Sequence, residues 1–432
     1  MAAFSHLSFT RITPSLPPTK LGTFNSKVTS CLSLKQSNDQ TLASQKGAVL
    51  FDSLRVVFAA GGTGGHIYPA VAIADELKTT NPNAQILFLG IPKSMESKAV
   101  PNAGHDFAAV PAAKLHRPVL SPRNVFLPYH LIKSIIWSYY KLRELDPHIV
   151  IGTGGYVSFP VGIAAALRGV KLVIQEQNAV PGIANWLLSF LAEVVFVAFN
   201  STIDCFPSGS GKKCVVCGNP VRLSLRKNVS KEAARGRFFP KCGEEVEDVK
   251  VLLVLGGSFG ANAINIALLN LYYQMLLEKE DLFIIWQTGV EAYNEMESLV
   301  KNHPRLLLKP FMHKMDLAYA AADLVVSRAG AMTCYEILAT GKPSILIPSP
   351  DADEGHQFKN ASLMADLAGA RVITEDELDS TTLGNAIEEI LGDESKMADM
   401  SERALKAANV NASEEIAHQV LSVVSLSRAK KK

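Results

Sequence analysis

Three short segments concentrate glycine beside residues able to hold an anion or move a proton. They are Gly61-Gly62-Thr63-Gly64-Gly65-His66, Gly152-Thr153-Gly154-Gly155-Tyr156-Val157-Ser158 and Gly256-Gly257-Ser258-Phe259-Gly260-Ala261. Glycine lets the backbone turn sharply and leaves N–H groups bare, so such a segment opening a helix suits phosphate. His66 adds an imidazole that titrates near neutrality. It can accept a proton from an attacking hydroxyl, or it can orient a bound phosphate; residue type leaves both readings open. A fourth segment, residues 327–340, reads as a strand end, a loop and a helix stopped by Gly341 and Pro343. The amides of Ala331, Met332 and Thr333 then open a helix N-terminus, where they can take phosphate charge without a cation.

These segments need strands to present them. Apolar or β-branched runs predict strands at residues 55–60, 85–90, 148–152, 171–175 and 193–198. A second series follows at 250–255, 282–287, 305–309, 323–327 and 343–348. The runs are continuous rather than alternating, as in parallel sheets covered on both faces. Strands alternating with helical stretches give an α/β, doubly wound fold. Between the two series, residues 218–248 break the rhythm with Arg222, Arg226, Lys227, Arg235 and Arg237 and then an acidic run, which places a domain junction near Val221. The expected domains are 51–221 and 222–400, followed at 401–432 by a helix compatible with either domain and a basic tail. Glycine loops at the carboxyl ends of strands in both domains predict a ligand cleft between them.

Two competing chemistries fail on spacing. A dinucleotide fold places an acidic residue at the end of its second strand, but here that strand ends Leu89-Gly90-Ile91-Pro92. No G-x-x-x-x-G-K-[ST] segment is present, which removes a P-loop NTPase. The 48% apolar and 19% charged composition supports a sizeable core. A net charge of +2 gives no reason to expect nucleic acid as a partner. Residues 1–50 hold five basic residues against the single acid Asp39 and are rich in Ser and Thr. That composition reads as an organelle transit peptide, plastid ahead of mitochondrion. Six cysteines in so long a chain make no disulfide scaffold.

Gly61–His66, Gly154–Ser158, Glu176-Gln177-Asn178, Gly218-Asn219-Pro220-Val221-Arg222, Gly256–Ala261, Ser327-Arg328-Ala329-Gly330-Ala331 with Glu336, and Gln357 with Asn360-Ala361 occur in this order. Together they resemble the MurG family of N-acetylglucosaminyltransferases, from about Val56 to about Val424. The resemblance implies the two-domain GT-B architecture, two Rossmann-like domains facing across a cleft. It also implies transfer of N-acetylglucosamine from a UDP-sugar donor to a polyprenyl-diphosphate-linked muramyl-pentapeptide, with inversion, no catalytic metal and no cofactor. On the donor side it implies roles for Arg222, Ser258 and Met312 around the nucleotide, for the stretch Ala331, Met332, Thr333, Cys334, Tyr335 and Glu336, and for Gln357 on the sugar, with His356 nearby. Glu336 would accept from the ribose hydroxyls. Thr63, Gly64, Gly65 and Asn178 match from across the cleft, and Tyr156, Ser158 and Glu176 match the acceptor side, with His66 the expected base. One departure stands out: the family usually has His before that Glu, and here it is Gln175.

Two further patterns carry less. Asp351-Ala352-Asp353 mimics a metal-binding D-x-D in a loop before Gln357, and Cys214-Val215-Val216-Cys217 has redox or zinc spacing without a second pair. Both read as structural.

In residues 130–142, Leu131, Ile135 and Tyr139, and Ile132, Ile136 and Tyr140, recur at helical spacing. Val119, Leu120, Phe126 and Leu127 lie nearby with Arg117, Arg123, Lys133, Lys141 and Arg143. This is either a helix lying on anionic lipid or a core-facing helix. The expected setting is peripheral contact with a membrane, on the stromal side of the plastid inner envelope. Plastids descend from a walled bacterium, which makes such a relative plausible there. The alternatives are a plastid UDP-galactose:diacylglycerol galactosyltransferase and a catalytically silent scaffold.

Overall fold

The computed structural model describes residues 54–111, 115, 121–226, 229–240, 249–352 and 355–429. Residues 1–50, read above as a transit peptide, and Arg117, Val119, Leu120 and Asp353 fall outside the described residues. The first sheet contains β1 (Arg55–Ala60), β2 (Gln85–Gly90), β3 (Asp106–Ala109), β4 (Ile149–Gly154), β5 (Lys171–Glu176), β6 (Val194–Val197) and β7 (Cys214–Val216). The second contains β8 (Lys250–Leu255), β9 (Leu282–Gln287), β10 (Leu306–Lys309), β11 (Leu324–Ser327), β12 (Ser344–Leu346) and β13 (Arg371–Val372). All pairings are parallel, in the orders β3-β2-β1-β4-β5-β6-β7 and β10-β9-β8-β11-β12-β13. In both sheets the strand order reverses at the first strand, between β1 and β4 and between β8 and β11. Open α/β sheets bind ligands at such a switch point.

Six helices contribute to the cleft and its support, α1 (Gly64–Thr80), α2 (Leu127–Leu145), α3 (Gly155–Leu167), α4 (Ile183–Leu188), α5 (Ala331–Thr340) and α6 (His356–Ala368), and a further helix, α7 (Ala412–Ala429), follows them. Each sheet is covered on both faces by apolar layers. Burial of this kind supplies about 25 cal/mol per Å² of apolar surface, which explains why the strand sequences are apolar throughout. Helix α7 crosses back to the first domain. Its Ile416, Ala417, Val420, Leu421 and Val424 share a core with Val56 and Phe58 of β1 and with Ile73 and Leu77 of α1.

Helix α2 turns an unusual face inward. Its buried residues are Ser134, Ser138 and Leu142, packed toward α3, and neither serine hydroxyl has a hydrogen-bond partner. Leu131, Ile135 and Tyr139 are half-buried, whereas Ile132, Ile136 and Tyr140 are 58%, 51% and 61% exposed. The two stripes thus divide: Tyr139 of the first packs against the core of the first domain, and the second faces outward. Small serines allow close helix approach, and the larger apolar side chains are left facing outward.

Candidate active site

The loop after β1 begins the site. Gly62 has φ +93°, and Thr63 is the extended residue from which α1 starts. Gly155 (φ +81°) lies against the carbonyl of Gly61, and a Cβ there would stand 2.0 Å from that oxygen. Only glycine permits this approach of the two loops. The register of β1 against β4 shifts between Ala59 and Ala60, opposite Gly152 and Gly154. Thr153, between those two partners, donates its hydroxyl to the carbonyl of His66 at 2.8 Å. On the ring side, Thr63 Oγ1 lies 3.1 Å from His66 Nδ1.

His66, Thr63, Tyr156, Glu176 and Asn178 line one cavity of about 350 Å³ with Gly61, Gly62, Gly154 and Gly155. Burial pushes the His66 imidazole below its ordinary pKa, while the Glu176 carboxylate acts in the opposite direction. Glu176 is buried and accepts four hydrogen bonds. Oε1 takes the Asn178 N–H and side-chain amide at 3.0 and 2.9 Å, and Oε2 takes the Gly182 N–H and the Asn185 amide at 3.1 and 2.9 Å. Its charge is thereby fixed in place behind the imidazole.

Ser158 lies deeper. Its hydroxyl accepts from Gly154 N–H at 2.9 Å and sits 2.6 Å from the Ala59 carbonyl, so it ties the second loop to β1 and does not line the cavity.

A second cavity, of about 200 Å³, lies on the other side of the first turn of α1. Gly64, Gly65 and Tyr68 line it from the first domain, and Arg222, Ser258, Met312, Met332, Thr333 and Glu336 from the junction and second domain. The Arg222 guanidinium stacks on the Tyr68 ring at 4.0 Å and lies 3.8 Å from Glu336 Oε1. Tyr319 donates its hydroxyl to Glu336 Oε2 at 3.1 Å. Burial raises the Glu336 pKa, opposed by Arg222 and by the Tyr319 hydroxyl. Helix α5 has no side-chain cap, and its first helix-closing bond runs from Cys334 N–H to Gly330.

Four expected donor contacts, Ala331, Cys334, Tyr335 and Gln357, line neither cavity, and Thr63 and Asn178, also expected on the donor side, line the larger one. Cys334 points into the core of the second domain, and burial pushes its thiol up to about 12. The Tyr335 hydroxyl accepts from Asn409 N–H at 2.7 Å and leaves room for no Cβ at Gly218, so this ring braces the junction. Gln357 lines neither cavity, because its amide oxygen accepts from Ser349 N–H at 2.9 Å. Ala331 is likewise buried and outside both linings. His356 lines the larger cavity. Helical spacing signalled this division: Met332, Thr333 and Glu336 share one face of α5, and Cys334 lies opposite. The sequence reading missed Tyr68, Tyr319 and Arg328 in the smaller cavity, and Asn185, Leu131 and Leu187 in the larger. Arg328 was visible within its motif, Tyr68 lies just past the first glycine loop and Leu131 was read only as part of an apolar stripe, whereas Tyr319 lies far in sequence from Tyr68 and Arg222, which it joins.

The described residues include no cluster of three or more His, Cys, Asp or Glu side chains able to hold a metal ion. Cys214 and Cys217 are free thiols with raised pKa values, which suits packing rather than redox chemistry.

Residues 56–197 match the glycosyltransferase family 28 N-terminal domain, and residues 251–420 match its C-terminal domain. The UDP-N-acetylglucosamine–N-acetylmuramyl-(pentapeptide) pyrophosphoryl-undecaprenol N-acetylglucosamine transferase of Salinibacter ruber is 40% identical over 368 residues, covering 85% of this chain and 96% of that one. A Bacillus cereus protein of the same description is 38% identical, covering 80% and 93%.

The chain belongs to the MurG family.

The crystal structure of Acinetobacter baumannii MurG agrees, with a TM-score of 0.65 and 28% identity, covering 85% of this chain and 99% of that one. The calicheamicin glycosyltransferase CalG4, at 14% identity and a TM-score of 0.60, shares the fold. The two sheets are thus the paired Rossmann-like domains of a GT-B glycosyltransferase. The departure from the MurG family pattern at Gln175 also has a structural explanation. Gln175 is fully buried, donates to Asn219 Oδ1 at 2.9 Å and bonds to Gln177, while Asn219 donates to the Gln177 carbonyl at 2.9 Å. An amide here closes a network between β5 and the domain junction and takes no part in the cavity.

Proposed function

We propose that this chain transfers N-acetylglucosamine from UDP to the lipid-linked muramyl-pentapeptide, with inversion and without a metal ion. The observation that carries the reading is the division of labour across the first turn of α1. His66 faces one cavity and Tyr68, two residues on, faces the other. In this reading the acceptor takes the His66 cavity and the donor the Tyr68 cavity, on two sides of a single helical turn. The acceptor hydroxyl attacks the anomeric carbon as the bond to the diphosphate breaks. His66, whose Nδ1 lies 3.1 Å from Thr63 Oγ1, takes the hydroxyl proton on its other ring nitrogen, Nε2, in the tautomer that carries its own proton on Nδ1. A single displacement inverts the sugar. The departing diphosphate carries the shared electron pair to the amides that open α5, while Glu336 accepts from the ribose hydroxyls.

Exposed apolar side chains on α2 and α4, with Arg123 and Lys133 beside them, support docking on anionic lipid. No described helix is long and apolar enough to cross a membrane. The basic, hydroxyl-rich first fifty residues support a plastid address, with work on the stromal face of the inner envelope.

The deciding experiment is transfer of labelled sugar from UDP-N-acetylglucosamine to authentic lipid-linked muramyl-pentapeptide, with and without chelator. Transfer unaffected by chelator is expected. Transfer only from UDP-galactose, or no transfer, would overturn the reading, and loss with chelator would overturn its metal-free form.

A further inference from the structure

The larger cavity joins two chemistries. Part of its lining is glycine backbone and His66; another part is Leu115, Leu127, Leu131, Phe159, Ile183 and Leu187, of which Ile183 and Leu187 reach solvent. None of these six side chains can recognise a sugar or a peptide by hydrogen bonding. They come from α2, α3, α4 and the segment before α2, so the apolar stretch is built by convergence of separate elements and is not the stray face of one helix. Its rims continue onto exposed apolar residues on both sides, Ile132 and Ile136 on α2 and Trp186 and Phe190 at α4, where the two aromatic rings meet edge to face at 5.5 Å. A ligand that fits is an amphiphile with a diphosphate at one end and a hydrocarbon directly attached.

We infer that this apolar stretch holds the proximal isoprene units of the acceptor's polyprenyl chain, between α2 and α4 over Phe159. The inference rests on the acceptor reading above and adds a binding subsite to it. The chain's hydrocarbon is gripped by protein next to the diphosphate, and only its distal part lies in the bilayer. Continuity with the His66 cavity fixes the order of the parts: diphosphate at the glycine loops, first isoprenes on Leu131 and Leu187, and remaining chain past Ile136 and Phe190. Apolar burial near one CH₂ is worth about fourfold in binding, so even a partly covered isoprene has a measurable effect.

The test uses muramyl-pentapeptide diphosphates capped with a methyl group, one isoprene or two, all water-soluble and assayed without vesicles. For the wild type, kcat/KM rises about tenfold or more from the methyl to the two-isoprene acceptor. In Leu131→Gln and in Leu187→Gln that ratio falls toward one. Because it is taken within each protein, general damage to folding or chemistry cancels. A flat wild-type series, or variants that keep the full ratio, would overturn the subsite while leaving the transferase reading intact. An equal fall in Ile136→Gln would place the tail on the outer stripe and also overturn it. No transfer to any acceptor would instead remove the reading on which the subsite depends.

Discussion

A Cβ on Gly154 would stand 2.9 Å from Nε2 of His66 and 2.7 Å from its Cδ2. The backbone there has φ +102°, a conformation L side chains avoid. Glycine at this position therefore sets the imidazole's place as well as the loop's turn.

Gly154→Ala should displace the ring and strain the loop by about 1–3 kcal/mol. The expected result is a fall in kcat/KM of about a hundredfold or more, with stabilisation by UDP-N-acetylglucosamine retained because the donor cavity lies beyond α1. Transfer assays and thermal shift on the same preparation check both halves. Equal loss of donor stabilisation would mean that the two cavities are not separable.

The pH profile follows from the environment of His66. Burial lowers its pKa from the ordinary 6.5, so the neutral, proton-accepting form persists to more acid pH than for a free imidazole. The acid limb of kcat/KM should fall below 6.5, and Glu176→Gln, which removes a carboxylate that favours the imidazolium, should move it further down. A limb above 6.5 in the wild type would sink the assignment of His66 as base.

The sequence made the strands legible wherever burial on both faces forced continuous apolar runs. It hid β3, whose Asp106–Ala109 is half exposed at a sheet edge, and β13, which is two residues long. The glycine loops were readable because their requirement is local: a sharp turn at a strand end. Partners brought together by the fold were not. Gln175 meets Asn219 across 44 positions, and α7 returns to cover β1 from the far end of the chain. On α2 the apolar periodicity was real, but close packing through Ser134 and Ser138 put the stripe of Ile132, Ile136 and Tyr140 on the surface.

Glu336 is expected to trade stability for donor binding. Its pKa is raised, so as pH rises from the ordinary 4.5 the unfolded chain releases its proton before the folded one does, and stability declines through that window. At neutral pH the buried carboxylate is a net cost to the empty protein. Glu336→Gln should raise the melting temperature without ligand and abolish most of the added stabilisation from UDP-N-acetylglucosamine. Tyr319→Phe removes a hydrogen bond that favours the carboxylate, so donor affinity should weaken at higher pH than in the wild type. Calorimetric titration of donor across pH measures this directly.

Asn360 supplies the last test, because it joins the two domains through buried groups. From α6 it accepts the Ala179 N–H at 2.9 Å and donates to Asn178 Oδ1 at 3.3 Å and to the Ala329 carbonyl at 3.1 Å. Asn178 in turn donates to Glu176, so this clasp leads to the carboxylate behind His66. Asn360→Ala leaves the Ala179 N–H buried without its partner and should cost about 1–3 kcal/mol. Asn178→Ala and Asn360→Ala share one contact, so their effects on stability should couple by about 0.5 kcal/mol or more in a double-mutant cycle. Denaturant titration of the four proteins measures it. Simple additivity would show that the 3.3 Å contact contributes nothing, and the hold of Asn360 on the first domain would then rest on the Ala179 bond alone.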